Sequence, residues 1–177
     1  MNFTETPLLR IGYKEWNPEG KRTIVLAHGW PDSLRCWHEV APLLVAAGYR
    51  VIAPALRGFL PTTFLSDDTP RTGQLAALGR DMVDFVQALQ LDQPVLVGHD
   101  WGARAVANAC GLQPGIASHM VLLSVGYGTN DPKQALSIEQ SHLYWYHWFM
   151  ATERGMQTVR EEGKAFAQHM WDHWAPS

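Results

Sequence analysis

The sequence lacks the features that mark secreted, membrane-spanning and nucleic-acid-binding proteins. It has two cysteines, Cys36 and Cys110, at no spacing typical of a disulfide framework or a metal site, which predicts a reducing, cytoplasmic setting. No uncharged apolar run is long enough to cross a bilayer, and the first residues show no pattern typical of a secretory signal. The 14 basic and 17 acidic residues form no block of one sign, which argues against nucleic acid or a membrane as a partner.

Apolar residues make up 46% of the 177 residues, and they fall into alternating strand and helix patterns. Short apolar runs typical of buried strands cover residues 22–27, 49–54, 95–97 and 119–125, with a weaker alternation over 8–16. Helical periodicity covers residues 33–48, 74–91 and 103–112. This order predicts an α/β fold, with a mainly parallel sheet covered by helices on both faces.

The pattern changes at the turn-rich stretch YGTNDP, residues 127–132. No strand pattern follows it, and residues 134–174 show helical periodicity with many aromatic side chains. The sequence therefore predicts an α/β core over residues 1–131 and a helical segment over residues 132–177.

Residues 95–102, VLVGHDWG, place Asp100 between two glycines at the end of a predicted strand. In a sharp strand-to-helix turn the central side chain projects above the sheet, and small residues such as Gly98 and Gly102 are needed two positions before and after it. A carboxylate there lies at the carboxyl end of a strand, where ligands bind in open α/β sheets. Asp100 is therefore predicted to be a nucleophile; the alternative is that it only caps the following helix.

A second loop, His28-Gly29-Trp30-Pro31, follows an earlier strand. An ester at Asp100 develops an oxyanion when it is hydrolysed, and backbone N–H groups from two strand-end loops stabilise such a charge. Trp30 and Trp101 are predicted to supply those two N–H groups. Pro31 is a candidate for a cis peptide bond that fixes the loop.

These motifs, HGWPDS, ALRGFLPTTF and GHDWGAR, resemble in order and spacing the Asp-nucleophile branch of the α/β-hydrolase superfamily, which contains epoxide hydrolases and haloalkane dehalogenases. The resemblance implies that Asp100 forms an ester with a small apolar electrophile, without a metal or organic cofactor. Trp30 and Pro31 match the HGxP oxyanion motif of epoxide hydrolases, whereas many dehalogenases carry a polar halide-binding residue at the position of Trp30. The resemblance thus favours an epoxide substrate over a haloalkane.

In that family a helical cap supplies tyrosines that hydrogen-bond the epoxide oxygen. Tyr146, in WYHWF, has a setting similar to the first of these, with Tyr144 as the fallback. The alternative is that this aromatic segment only packs the cap onto the core. For Trp145, Trp148 and Phe149, packing is the favoured interpretation.

The resemblance also implies a general-base histidine and a second acid near the end of a longer chain, and none of the eight histidines has that context. We therefore expect the N-terminal portion of a hydrolase, with an incomplete cap and absent or impaired turnover. The alternative is a non-catalytic ligand-binding or interaction fragment. Because the sheet is expected to have an unpaired edge after residues 119–125, self-association is also predicted, either through that edge or through the aromatic helices with Trp145, Trp148 and Trp171.

Overall fold

A computed structural model describes residues 1–125, 133 and 135–174. The chain divides into two compact units, Met1–Thr129 and Asn130–Ser177. The predicted junction between residues 131 and 132 lies outside the described residues.

The first unit alternates strands and helices along the chain. Its strands are β1 Asn2–Glu5, β2 Leu9–Trp16, β3 Thr23–Ala27, β4 Arg50–Pro54, β5 Thr63–Phe64, β6 Val95–His99 and β7 His119–Leu123. Its helices are a 3-10 helix Leu34–Trp37, α1 Val40–Ala46, α2 Leu75–Ala88 and α3 Trp101–Leu112.

The seven strands form one sheet in the order β1-β2-β4-β3-β6-β7, and β5 pairs with β2 beside this series. The pairs β3–β4, β3–β6 and β6–β7 are parallel, whereas β2 is antiparallel to β1, β4 and β5. Among the described strands, β2 is thus the one that runs against the others. The predicted mainly parallel sheet is confirmed.

Helices cover both faces of this sheet because successive strand residues point to opposite sides. In β3, Val25 and Ala27 belong to the apolar core beneath α2 and α3. Ile24 and Leu26 belong to a second core beneath α1 and the 3-10 helix. The predicted two-faced α/β arrangement is therefore confirmed.

The predicted single helix over residues 33–48 is wrong, because two shorter helices take its place. Ser33 caps the 3-10 helix by accepting a hydrogen bond of 3.3 Å from the Arg35 N–H, and α1 begins only at Val40. Pro42 explains the break. It is tolerated in the first turn of α1, whereas in the interior of a longer helix it would lack an N–H and clash with the preceding turn.

The second unit is helical, as predicted, with α4 Ile138–Leu143, α5 Trp145–Met150, α6 Glu153–Glu161 and α7 Gly163–Trp174. The Trp145 ring lies 5.7 Å from Phe149, 6.0 Å from Phe166 and 5.8 Å from His169, measured between ring centroids. Aromatic packing therefore joins α5 to α7 within this unit.

Candidate active site

Asp100 occupies the turn between β6 and α3. Its backbone angles, φ 52° and ψ −116°, place a non-glycine residue in a sparsely populated conformation that costs about 1–3 kcal/mol. The Asp100 N–H donates to the Leu123 carbonyl at 3.1 Å, and the Arg104 N–H donates to the Asp100 carbonyl at 3.2 Å. The predicted sharp strand-to-helix turn at Asp100 is confirmed.

The glycines on either side of Asp100 mark places where the backbone meets itself too closely for a side chain. A Cβ at Gly98 would lie 2.3 Å from the Gly102 carbonyl oxygen. A Cβ at Gly102 would lie 2.2 Å from the Ala27 carbonyl oxygen. Because both obstructing atoms belong to the backbone, no rotamer change relieves the overlap. The G-x-D-x-G spacing is therefore a steric requirement of this turn.

The Asp100 carboxylate does not cap α3. It stands at the N-cap position, yet its side chain makes no hydrogen bond to the first turn of the helix. Its Oδ1 atom instead accepts a hydrogen bond of 2.9 Å from the Trp30 N–H, in the loop after β3. Within residues 1–125, 133 and 135–174, Oδ2 accepts no hydrogen bond. The capping interpretation is therefore wrong, since the side chain is directed at the second loop.

Gly29 brings the second loop against Asp100. A Cβ at Gly29 would lie 2.6 Å from the Asp100 Cβ and 2.8 Å from Oδ1. The Trp30–Pro31 peptide is cis, in agreement with the sequence. Trp101, the other predicted oxyanion donor, is the first residue of α3 and follows Asp100 directly. The backbone N–H of Trp30 is thus already directed at the carboxylate.

His28 connects this loop to the loop after β4. Its imidazole is fully buried, its Nδ1 lies 2.8 Å from the Gly29 carbonyl oxygen, and its Nε2 accepts a hydrogen bond of 3.1 Å from the Leu56 N–H. The Phe59 ring packs edge-on against it at 4.7 Å between centroids. The sequence marks His28 as part of the loop, but its partner Leu56 becomes visible only in the fold.

A buried ion pair fixes the loop after β4 to α2. The Arg57 Nε and Nη2 donate to the Asp81 carboxylate at 2.5 and 2.6 Å, and Nη1 donates to the Thr72 carbonyl at 3.1 Å. Burial raises the pKa of Asp81, and the hydrogen bonds and charge of Arg57 oppose that rise. The backbone beside Leu56 is therefore held in place from α2.

Tyr146, the predicted proton donor, lies in α5 of the second unit. It is buried there, with its ring 5.0 Å from the Trp174 ring and 4.3 Å from the His147 ring. Tyr144, the fallback, is the residue before α5, and its ring stacks on His147 at 5.2 Å. Both tyrosines thus belong to the aromatic packing of that unit.

Across the described part of the chain, no group of three or more His, Cys, Asp and Glu side chains is arranged to hold a metal ion. The described helices are also all too short or too polar to cross a membrane.

The family profile for the alpha/beta hydrolase fold matches residues 22–172. The chain belongs to the α/β-hydrolase fold family. Within it, this α/β-hydrolase is 35% identical over 106 residues to an epoxide hydrolase of Caballeronia sordidicola, covering 60% of this chain and 32% of that protein. It is 31% identical over 123 residues to epoxide hydrolase A of Mycobacterium tuberculosis, covering 70% of this chain and 38% of that protein.

Among solved structures, the α/β-hydrolase is similar to a proposed epoxide hydrolase from Klebsiella pneumoniae, with a TM-score of 0.91 and 35% identity. The match covers 99% of this chain and 60% of that one. The chain therefore spans less than two thirds of the length of each of these three relatives. It corresponds to the N-terminal portion of an epoxide hydrolase-like α/β-hydrolase.

Proposed function

We propose that this α/β-hydrolase attacks epoxides through Asp100 and forms a covalent ester. The observation that carries the proposal is the hydrogen bond of 2.9 Å from the Trp30 N–H to Asp100 Oδ1 at a strained turn. One carboxylate oxygen is thereby held and oriented, while Oδ2 accepts no hydrogen bond from the described residues.

The proposed reaction begins with a lone pair of Asp100 Oδ2. It forms a bond to an epoxide carbon, the carbon–oxygen bond of the ring breaks, and the ring oxygen leaves as an alkoxide that takes a proton. We assign that proton to the hydroxyl of Tyr146, and we propose residues 1–131 as the α/β-hydrolase core and residues 132–177 as a helical cap segment. Oδ1 becomes the ester carbonyl oxygen and stays on the Trp30 N–H.

Hydrolysis of the ester would place negative charge on Oδ1. The Trp30 N–H already points at this atom, and the N–H of Trp101 is the second proposed donor. Water must also be activated by a base, and no described histidine side chain hydrogen-bonds Asp100. We therefore propose that this chain forms the ester faster than it hydrolyses it.

Intact mass spectrometry after incubation with styrene oxide tests the proposal. We expect one adduct per chain, and peptide mapping should place it on Asp100. Asp100→Ala should abolish the adduct, because no neighbouring group replaces the attacking carboxylate. Asp92→Ala, which removes an exposed carboxylate just before β6, is the matched control and should react like the unmodified chain.

The outcomes separate the candidate functions. Free diol without an adduct means that the chain turns over and overturns the proposed accumulation. Reaction with 1-bromobutane but not with styrene oxide assigns the site to haloalkanes. An unmodified chain under both treatments means a non-catalytic binding or interaction fragment, and an adduct that survives Asp100→Ala contradicts the assigned nucleophile.

We also propose that the chain self-associates through β7. This strand is the last of the sheet, and its outer edge pairs with no described strand. Its apolar residues Met120, Val121 and Leu123 are 43%, 43% and 41% exposed. A second copy of the chain is the proposed partner, because pairing of two such edges satisfies main-chain groups and covers these side chains.

The proposed location is the cytoplasm, where Cys36 and Cys110 stay as free thiols.

A further inference from the structure

The two ring nitrogens of His28 contact two different loops, the loop after β3 and the loop after β4. Because the Leu56 N–H donates to Nε2, that nitrogen carries a lone pair, and the proton of the neutral imidazole must be on Nδ1. Nδ1–H therefore donates to the Gly29 carbonyl oxygen at 2.8 Å. The structure thus fixes both the charge and the tautomer of this histidine.

The Gly29 carbonyl and the Trp30 N–H belong to one peptide group, and that peptide is trans. In a planar trans peptide the C=O and N–H bonds point in opposite directions. One end of this rigid group is held by His28 at 2.8 Å, and the other end donates to Asp100 Oδ1 at 2.9 Å. Fixing the carbonyl therefore fixes the direction of the N–H.

We propose that His28 is a positioning residue that aims the Trp30 N–H at the Asp100 carboxylate. The hydrogen bonds run in one direction, from the Leu56 N–H through the imidazole and the Gly29–Trp30 peptide to Oδ1. In such a chain each bond polarises the next and strengthens it. The proposal rests on the proposed function only for its effect on reaction rate; the effect on the orientation of Trp30 stands by itself.

The surroundings of His28 favour the neutral ring. Burial lowers the pKa of His28, while the hydrogen bond to Gly29 and the carboxylates of Asp32 and Asp100 act in the opposite direction. The other neighbour, Phe59, is apolar. Protonation of Nε2 would set two donors, the ring N–H and the Leu56 N–H, against each other. We call the chain of hydrogen bonds from the Leu56 N–H through His28 and the Gly29–Trp30 peptide to Asp100 Oδ1 the brace. Acid therefore breaks the brace first at the hydrogen bond from Leu56.

Three substitutions separate the two hydrogen bonds. His28→Asn places an amide nitrogen at the position of Nδ1 and keeps the donor to Gly29. His28→Gln places an amide oxygen near the position of Nε2 and keeps the acceptor for Leu56. His28→Leu removes both. Phe59→Leu is the matched control, because it removes the ring packed on the imidazole and leaves both hydrogen bonds.

Amide hydrogen exchange at Trp30, measured by NMR on the full chain, is the readout that needs no activity. We expect exchange at Trp30 to be at least about tenfold faster in His28→Gln and His28→Leu, and close to the unmodified chain in His28→Asn and Phe59→Leu. The rate of styrene oxide addition should fall in the same order, by roughly 10- to 100-fold, as for misplacement of a reacting group. Unchanged exchange in all three His28 variants, or equal damage in His28→Asn and His28→Leu, overturns the proposal.

The ring-nitrogen chemical shifts of His28 in the unmodified chain give a test that no folding defect can obscure. A neutral ring protonated on Nδ1 at pH 7 is expected. An imidazolium, or a ring protonated on Nε2, contradicts the proposal. If the exchange results are as expected but no adduct forms on Asp100, the positioning role of His28 is supported and the proposed role of Asp100 as nucleophile is contradicted.

Discussion

At Gly102 the absent side chain leaves room for the Ala27 carbonyl oxygen, which would lie 2.2 Å from a Cβ at that position. At Gly111, near the end of the same helix, no atom of the described residues lies within 4 Å of the corresponding point, apart from its chain neighbours and the nearby backbone of the helix itself. The two glycines therefore differ in packing while sharing one helix. A substitution at Gly102 therefore tests the steric role, whereas one at Gly111 measures only the general cost of glycine in a helix.

We expect Gly102→Ala to lower the free energy of unfolding by about 1–3 kcal/mol, because α3 must move away from β3. Gly111→Ala, the matched control, should raise it by about 0.5 kcal/mol, since alanine is the better helix former. Urea denaturation monitored by tryptophan fluorescence measures both. Equal shifts in the two variants would contradict the steric role of Gly102.

Between elements, a buried ion pair of Arg57 and Asp81 ties the loop after β4 to α2. Its two side chains are 5% and 10% exposed. A buried ion pair that loses one partner leaves an uncompensated charge, whereas an exposed pair contributes little. Arg71 and Asp67 form such an exposed pair in the next loop, between β5 and α2, with side chains 48% and 110% exposed.

Asp81→Asn is expected to lower the free energy of unfolding by about 3 kcal/mol, because Arg57 stays charged in a buried place. Asp67→Asn should change it by less than about 0.5 kcal/mol. Chemical denaturation of the two variants at pH 7 gives the comparison. The buried pair is unimportant for stability if both variants unfold at the same denaturant concentration as the unmodified chain.

Strands that carry a buried apolar run could be predicted from the sequence, whereas strands without such a run could not. The run TIVLA, residues 23–27, is apolar enough to mark β3 by itself. β1, Asn2–Glu5, carries no such pattern, because its residues are mostly exposed and it is held by antiparallel pairing with β2. Its existence depends on a neighbouring strand rather than on its own sequence.

The candidate site likewise contains features that the local sequence predicts and features that it does not. The turn at Asp100 follows from Gly98 and Gly102, because local backbone sterics require them. The hydrogen bond from Leu56 to His28 joins residues 28 positions apart, and no local pattern encodes that pairing. Sequence thus predicted the two loops of the site, while the brace between them required the register of the sheet.

At the scale of the whole molecule, the proposed self-association through the outer edge of β7 can be tested in solution. We expect sedimentation velocity across a dilution series to show reversible self-association of the unmodified chain. Val121→Lys should shift the chain to the monomer, because a charge on an edge strand opposes pairing. Leu43→Lys, which changes an apolar residue that is 71% exposed on α1, should leave the association unchanged.

Equal weakening by both lysine variants would mean that any exposed apolar residue mediates association, not the β7 edge. A monomer at all concentrations would contradict the proposed role of β7.

The order of the strands also governs what happens on the ribosome. β3 lies between β4, which begins at Arg50, and β6, which begins at Val95. At 5–20 residues per second, synthesis of the stretch between those two residues lasts roughly 2–9 s. Throughout that interval the growing chain contains β3 without its neighbour β6, so one edge of β3 is unpaired. The Trp30 loop also lacks the Asp100 carboxylate to which it donates. The nascent chain is then a natural client for chaperones, and Asp100 and Trp101 are the last of the core's site residues to be synthesised.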